Sequence, residues 1–451
     1  METRSTENIL PHFANPVNYR NSQITIDRAE GVYFWDTNGK RYIDGVAQVM
    51  VVNAGHGRKE IIDAMKAQLD RYSYNFLSFS SSPSAIDLSR KLVQILPGNM
   101  KEIFYTTGGS EAADTAIKIA RLYHVLNGDS RRYRFIARWI SYHGAALGGL
   151  SCSGHAPRRR NFEPLLLDFP HAQPAYCYRC PFSKKYPECD LECATSLEHL
   201  IKNEGAESIS AFIAEPVVGS TGGALVPPKE YFKIVREICD KYGILLVIDE
   251  VLTGFGRTGK MFAIDHWGVK PDMILIAKGL SSGYAPIGGV AVSSAIAEKF
   301  ETGEGIDFAH GFTFGGSPVA CTAALKNIEI LEREKLAENS LQMGEYLKKK
   351  LLQLDHKIIG DVRGLGLLVG VELVKDRESK ELFPDDQPVA SQISALALKK
   401  GVKIFGLRGH DSGMISDFLV ISPPLIINEP QLDEIVSTVD SCMTEVESKL
   451  V

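Results

Sequence analysis

The sequence has little that would tie it to a membrane or to nucleic acid. Its 451 residues contain no apolar run approaching the about 20 residues that span a bilayer. The polar segment 1–7 lacks the apolar centre of a signal peptide. A net charge of −5 gives no general attraction to nucleic acid or to anionic lipid. These absences predict a cytoplasmic protein that has neither a membrane nor a nucleic acid as partner.

Concentrated positive charge is also scarce. Short basic runs occur at residues 158–160 and 348–350. Runs with so few charges are typical of a solvated face rather than of a binding patch. We therefore expect both runs to lie in solvent.

Cysteine is sparse outside one segment. Four of the eight cysteines are Cys177, Cys180, Cys189 and Cys193, in a proline-marked insert at about residues 170–195. Two close pairs resemble the ligand set of a structural zinc site. Disulfides, which a reducing cytosol disfavours, and free thiols on a surface excursion fit the same spacing. Metal binding is therefore left open, and we do not expect a catalytic role for the insert.

Strand-like runs alternate with helical patterns between residues 57 and 330. The predicted strands are at residues 103–106, 135–137, 209–214, 244–248, 273–277 and 289–292. Helical spacing separates them, as at residues 231–239. This alternation predicts an α/β fold with a mixed, mostly parallel sheet that is covered by helices on both faces.

The two ends of the chain predict a smaller α+β domain. Residues 31–44 have the pattern of a hairpin, with Asn38-Gly39 supplying the positive φ angles of its turn. The C-terminal part predicts, in order, one long helix at 323–354, a strand broken by glycines at 362–373, a helix at 390–400, a strand at 418–422 and a helix from residue 431. We therefore predict a large domain at 57–330 and a small domain made of residues 1–56 and 331–451.

Two apolar runs in the large domain end on charged residues. Residues 245–248 lead to Asp249, and residues 273–277 lead to Lys278. Runs that are apolar on both faces are typical of buried parallel strands, and ligands of open α/β sheets bind beyond the carboxyl ends of such strands. An acid and a lysine there suit a cofactor with a basic ring nitrogen and an aldehyde, such as pyridoxal phosphate. A structural ion pair at the sheet edge is the alternative.

The turn after the first predicted strand of the large domain suits a phosphate group. Gly109 and Ser110 open a helix rich in alanine and isoleucine. Glycine lets the backbone approach an anion closely, and a helix N-terminus offers unpaired N–H groups and a positive dipole. We predict that these two residues contact the phosphate, although any tight strand-to-helix turn has a similar pattern.

These residues occur in an order that resembles a known family. The motifs are Gly109-Ser110-Glu111-Ala112, Tyr142-His143-Gly144, Glu215-Pro216, Asp249-Glu250-Val251, Gly254-Phe255-Gly256-Arg257-Thr258-Gly259 and Lys278-Gly279. The set resembles the class III, or ω-amino-acid, aminotransferases of the fold-type-I pyridoxal phosphate enzymes. The resemblance covers nearly the whole chain, and it implies a homodimer with active sites shared between subunits.

The resemblance implies a role for each site residue. Lys278 resembles the lysine that forms a Schiff base with the cofactor and moves the proton. Asp249 resembles the partner that keeps the pyridine nitrogen protonated. Val251 and Tyr142 would lie on the two faces of the ring, and Thr313 would reach the phosphate from the neighbouring subunit.

Three further residues are implied less directly. Glu215 would orient the network around the cofactor. Arg408 lies near the position of an arginine that binds the substrate carboxylate. Met50 stands where many ω-aminotransferases have a tryptophan, and it would give a more pliable wall to the amine pocket.

The activity that follows is transamination. The predicted enzyme passes the amino group of an ω-amine or amino acid to a 2-oxo acid, such as pyruvate or 2-oxoglutarate, by a ping-pong mechanism. An aminomutase or a decarboxylase of the same fold would use the same lysine. A zinc-stabilised binding protein that has kept the fold and lost catalysis is the non-enzymatic alternative.

Overall fold

The computed structural model describes residues 6–303, 307–409 and 417–450. The strands are β1 (Ile26–Glu30), β2 (Tyr33–Asp36), β3 (Arg41–Asp44), β4 (Met100–Thr106), β5 (Arg134–Arg138), β6 (His171–Ala172), β7 (Ile209–Ala214), β8 (Leu245–Asp249), β9 (Met273–Ile276), β10 (Gly288–Ser293), β11 (Ile359–Leu365), β12 (Leu368–Leu373), β13 (Val402–Lys403), β14 (Phe405–Arg408) and β15 (Asp417–Ile421). All six strands predicted in the large domain are present, as β4, β5, β7, β8, β9 and β10.

The helices alternate with these strands. They are α1 (Pro16–Ser22), α2 (Ala47–Met50), α3 (Lys59–Arg71), α4 (Pro83–Ile95), α5 (Gly109–Leu126), α6 (Leu147–Cys152), α7 (Ala156–Arg159), α8 (Glu192–Glu204), α9 (Tyr231–Tyr242), α10 (Ser294–Thr302), α11 (Pro318–Arg333), α12 (Leu336–Leu352), α13 (Val389–Lys399) and α14 (Glu429–Glu447). Short 3₁₀ turns lie at Glu163–Leu165, Ala206–Ser208, Ala263–His266 and Lys278–Leu280. Among the described residues, no helix is both long enough and apolar enough to cross a bilayer.

Local sequence signals start several helices. Ser82 accepts a hydrogen bond from the Ala85 N–H at the start of α4, and a proline follows the cap. Asn428 and Gln431 form a reciprocal capping box at the start of α14. Side chains that accept from the first turn stabilise a helix because its first N–H groups have no partner within the helix.

The central sheet is mixed and mostly parallel. Its strand order is β4-β10-β9-β8-β7-β5-β6, and only β10 runs antiparallel to its neighbours. Every residue of β8 is buried. Leu246 and Ile248 pack with α8 and α9 on one face, whereas Leu245 and Val247 pack with α5 on the other. This two-sided burial confirms the predicted fold class and explains why β8 is an uninterrupted apolar run.

Two smaller sheets contain the remaining strands. One has the order β1-β2-β3-β13, and the other has the order β11-β12-β15-β14. In the first, Val402 of β13 pairs with Ile43 of β3, so the C-terminal part of the chain extends the N-terminal hairpin. This pairing supports the proposal that residues 1–56 join the small domain.

Three local predictions were wrong. The helix predicted at 323–354 is two helices, because Lys335 adopts φ +51° between α11 and α12 without a glycine or proline to signal the break. The strand predicted at 362–373 is a hairpin of β11 and β12, with Gly366 at φ +52° in its turn. In the turn of the N-terminal hairpin Gly39 has a positive φ, +80°, but Asn38 does not, because the Asp36 carboxylate accepts the N–H groups of Asn38 and Lys40 and so holds a longer turn.

Candidate active site

A single cavity opens beyond the carboxyl ends of the parallel strands. It brings together eight of the predicted site residues, namely Met50, Gly109, Ser110, Tyr142, Glu215, Asp249, Val251 and Lys278. The carboxyl ends of β4, β5, β7, β8 and β9 and the segments that follow them supply seven of these residues. The predicted groups therefore face one another, as the strand-end argument requires.

Asp249 ends β8 and is held by two neighbours. Its Oδ1 accepts a hydrogen bond from the Val251 N–H at 3.0 Å, and its Oδ2 lies 2.8 Å from His143 Nδ1. His143 is buried, and its Nε2 has no partner among the described residues. The imidazole thus fixes the direction of the carboxylate. The sequence analysis gives His143 no role of its own, although this residue lies between Tyr142 and Gly144 in one of the family motifs.

Lys278 follows β9 and starts a 3₁₀ turn. Its φ of +47° is left-handed, which is uncommon for a residue with a side chain. Burial lowers the pKa of its amine, and the charges of Asp249 and Glu215 oppose that shift. The lowered pKa increases the fraction of neutral, nucleophilic amine at neutral pH.

Glu215 supports the opposite wall. One carboxyl oxygen accepts from the Tyr142 N–H and the other from the Gly219 N–H, each at 3.2 Å. Burial raises the pKa of Glu215, and the nearby charge of Asp249 adds to that increase. The Tyr142 ring meets the Arg158 guanidinium, whose Cζ lies 4.3 Å from the ring centroid. Glu215 therefore positions Tyr142 through its backbone.

Close packing around the start of α5 leaves no room for a side chain at Gly109 or at Gly144. A Cβ added to Gly109 would lie 2.7 Å from Val251 Cγ1, and one added to Gly144 would lie 2.8 Å from Ser110 Cα. Gly108 precedes the first turn of α5 and has no side chain to cap it. The helix N-terminus is therefore available to an anion.

Replacing Gly109 with alanine tests this closeness. The methyl group would displace Val251 from the cavity wall or move the start of α5, so we expect the affinity for pyridoxal phosphate to fall by at least about 10-fold, the effect of about 1.4 kcal/mol. A Cβ at Gly108 meets no atom within 4 Å, so the affinity of Gly108→Ala for pyridoxal phosphate should fall by less. Titration of cofactor-free protein measures both, and equal losses would contradict the steric argument.

Met50 is almost completely buried. It is 1% exposed and belongs to an apolar cluster with Ile140, Val217 and Leu368. Its φ is +55°, in a segment whose preceding two residues are not helical. Met50 therefore lines the cavity as part of the core beneath it.

Two predicted residues do not line the cavity. Thr313 is exposed, and its carbonyl accepts a hydrogen bond from Tyr74 Oη at 2.9 Å. Arg408 ends β14, and its guanidinium donates to the carbonyls of Phe383 and Asp385. The sequence position of Arg408 does not bring it to the cavity because β14 lies at the edge of a small sheet.

The basic run at 158–160 corrects another prediction. Arg158 lines the cavity. Arg159 is 7% exposed, and one of its guanidinium nitrogens donates hydrogen bonds to three carbonyls near the end of α6. Only Arg160 is classed as exposed. The prediction of a solvated face is wrong for the first two residues because the short helix α7 turns them inward.

The four clustered cysteines surround one small cavity. All four are free thiols, and Cys177 is the exposed one. Burial raises the pKa of Cys193 to about 12, and the other three thiols add to that increase. In the described part of the chain, which includes the whole insert, no group of three or more histidine, cysteine, aspartate or glutamate residues is arranged to hold a metal ion.

Glu250, next to Asp249, faces the core and not the cavity. It is fully buried, accepts from Thr253 Oγ1 and the Ile264 N–H, and has a pKa raised by burial to about 7. The folded protein thus holds this proton more tightly than the unfolded chain does, so ionising Glu250 destabilises the fold. Stability should fall as pH rises from about 4.5 to about 7, by about 3 kcal/mol in total.

The Glu250→Gln variant should lack that decline. Glutamine has the same shape and no charge, so the variant should gain thermal stability relative to the wild type between about pH 5 and about pH 8. Melting temperatures of both proteins at the two pH values measure the effect. Parallel pH dependences would contradict the assigned pKa.

Comparisons with known proteins agree with this geometry. The sequence model of the family described as aminotransferase class-III matches residues 14–443. An uncharacterized aminotransferase of Bacillus subtilis, YhxA, is 43% identical over 91% of this chain and 90% of its own length. The putrescine–pyruvate aminotransferase of Pseudomonas aeruginosa is 36% identical over 98% of this chain and 95% of its own.

Solved structures give the same result. An (S)-enantioselective ω-transaminase from Thermomicrobium roseum has a TM-score of 0.92 and 39% identity, with 97% of this chain and 96% of that chain covered. An amine transaminase from an uncultivated Pseudomonas species, in its PLP-bound form, has a TM-score of 0.90 and 34% identity, with 97% and 100% covered. With its fold, its strand-end cavity and a family match across nearly its whole length, the chain belongs to the class III aminotransferases and is an aminotransferase of fold type I.

Proposed function

We propose that this aminotransferase uses pyridoxal phosphate to pass the amino group of an ω-amine or amino acid to a 2-oxo acid, such as pyruvate or 2-oxoglutarate, by a ping-pong mechanism. The observation that carries the proposal is the single cavity that contains both the Lys278 amine and the Asp249 carboxylate. The similarity to a relative named for putrescine and pyruvate supports the choice of donor and acceptor classes.

The residues of the cavity fit this cofactor. Asp249 is a buried carboxylate that would pair with the ring nitrogen, and Val251 and Tyr142 would hold the two ring faces. Gly109 and Ser110 would bind the phosphate at the start of α5. When bound, pyridoxal phosphate supplies a sink for the electrons left on the substrate carbon when a proton is removed.

Lys278 is the proposed nucleophile and proton carrier. Burial lowers the pKa of its amine and so favours the neutral form, which can bond covalently to the cofactor and later accept a proton as a general base. The carboxylates of Asp249 and Glu215 favour its protonated form, in which it can act as a general acid. These opposing effects suit a group that must both accept and donate a proton during the reaction.

His143 is the proposed positioning residue for Asp249. Its Nδ1 is 2.8 Å from the carboxylate, and no other side chain is recorded within hydrogen-bond distance of that carboxylate in the described ranges. The imidazole would keep the acid aimed at the ring nitrogen. A carboxylate so held stabilises a protonated nitrogen better than one that rotates freely.

The surface around Thr313 supports the proposed homodimer with shared active sites. Thr313 is exposed, beside Phe314, which is 62% exposed, and Tyr74, which is 45% exposed. The Tyr74 and Phe314 rings meet edge to face with centroids 6.0 Å apart. An apolar patch of this kind favours burial against a partner, which would let Thr313 reach the partner's phosphate site.

A half-reaction screen tests the proposal. Purified holoenzyme is mixed with single amines without any oxo acid, and the visible absorbance of the cofactor is followed. A ping-pong aminotransferase should convert its cofactor to the amine form with at least one primary amine and recover when pyruvate or 2-oxoglutarate is added. Rearranged or decarboxylated product in the absence of an oxo acid would contradict the proposal.

A further inference from the structure

The cavity contains a second cation, Arg158, whose charge has no acidic partner among the residues that the structure describes. In the described part of the chain its guanidinium forms neither an ion pair nor a hydrogen bond. It is held by two aromatic rings instead, with its Cζ 4.3 Å from the Tyr142 centroid and 5.1 Å from the Phe13 centroid. The two rings meet edge to face at 6.5 Å, so they form one support for the cation.

Two other inward-facing arginines, Arg363 and Arg257, have oxygen partners within the chain. Arg363 pairs with Asp361 at 2.8 Å and with Glu372 at 2.6 Å. Arg257, which has no carboxylate within ion-pair distance in the described residues, donates to two carbonyls and to an asparagine side chain. Among the described residues, Arg158 has neither an acid nor an oxygen acceptor. Removing a cation from water without such a partner costs free energy. An anionic ligand that pairs with the cation would offset this cost.

The acids of the cavity are already engaged elsewhere. Asp249 is bound by His143 and by the Val251 N–H, and Glu215 accepts two backbone N–H groups. Glu215 is close enough to influence the charge of Arg158, but the two form no ion pair within 4.0 Å. The described residues therefore leave no acid for Arg158, and an anionic group of a ligand would suit it.

The position of Arg158 indicates which part of a ligand it would meet. It lies on the Tyr142 ring, and its charge is felt at the Lys278 amine. The proposed phosphate contacts, Gly109 and Ser110, belong to the separate turn at the start of α5. A substrate whose amine reacts near Lys278 could thus extend toward Arg158 while the cofactor phosphate stays at that turn.

We propose that Arg158 is a specificity-determining residue that binds the carboxylate of the amino-acid or 2-oxo-acid substrate. A guanidinium can donate two parallel N–H bonds to a carboxylate, which gives direction as well as affinity. The proposal rests on the proposed function. It assigns to Arg158 the task that the sequence resemblance implied for Arg408, whose guanidinium is held by the carbonyls of Phe383 and Asp385.

The test compares anionic and neutral substrates of similar size. The donors are 4-aminobutyrate and n-butylamine, and the acceptors are pyruvate and butanal. Arg158→Gln should lower kcat/KM for 4-aminobutyrate, pyruvate or both by about 10- to 100-fold, mainly through KM, because a hydrogen-bonded charge pair is lost. The values for n-butylamine and butanal should change by less than about 3-fold, and Arg158→Lys should restore part of the loss.

Controls separate the possible outcomes. Arg160→Gln, an exposed neighbour in the same basic run, should match the wild type. Equal losses for charged and neutral substrates, or a weakened affinity for pyridoxal phosphate in Arg158→Gln, would overturn the proposal in favour of a cofactor-binding role. No change with any substrate would also overturn it. If the wild type transaminates no amine at all, the proposed function itself has failed.

Discussion

Replacing Lys278 with alanine is expected to reduce turnover by at least about 10³-fold, because the variant loses both the nucleophilic amine and the proton carrier. The side chain is the one primary amine among the residues that line the cavity, and burial lowers its pKa toward the range in which it can act as a base. Steady-state rates with an amine identified by the half-reaction screen would measure the loss.

The Lys278→Ala protein should still fold and still bind the cofactor through its other contacts. Lys270→Ala is a suitable control because Lys270 is exposed and lies just before β9. The wild-type absorbance band that depends on a covalent bond to lysine should disappear only in Lys278→Ala. Wild-type turnover by that variant would end the proposed function.

Replacing Asp249 with asparagine is expected to cost about 10² to 10³ in kcat. The amide preserves the shape of the side chain but removes the charge that would keep the ring nitrogen protonated. The pKa of Lys278 should fall further, since the Asp249 charge is the largest effect that raises it. The pH dependence of kcat/KM with a defined amine therefore measures a second consequence of the same substitution.

An exposed acid provides the comparison for Asp249. Asp63→Asn removes one negative charge from α3 on the surface and should leave both the rate and the pH profile unchanged. A folded Asp249→Asn protein with wild-type kcat would contradict the role of Asp249. Equal effects of the two substitutions would show that the loss came from net charge and not from the site.

Much of the large domain could be predicted from local patterns. Strands such as β8 and β9 are buried on both faces, so their residues form continuous apolar runs that end at the first charged residue. The turn at Gly109 could be predicted for a similar reason, because close packing against Val251 excludes a side chain. In each case a local physical requirement restricts the residue types at consecutive positions, so it can be recognised in the sequence.

Other features cannot be recognised in this way. Lys335 breaks a helix in a left-handed conformation that its sequence context does not demand, so one helix was predicted where there are two. Arg158 and Arg159 were predicted to lie in solvent, but both face inward. The sequence of a short basic run does not indicate which way its helix faces. The choice between Arg158 and Arg408 depends on contacts between distant segments, and spacing along the chain cannot decide it.

The sequence by itself determined that an acid and a lysine stand at the ends of β8 and β9, where they follow buried apolar runs in neighbouring parallel strands. It also determined the family, because the ordered motifs extend over nearly the whole chain. Only the tertiary structure decided that His143 holds Asp249, that Arg408 lies outside the cavity and that Arg158 lies inside it on the Tyr142 ring. The reason is that strand ends follow from local burial, whereas the partners of a side chain depend on how separate loops pack together.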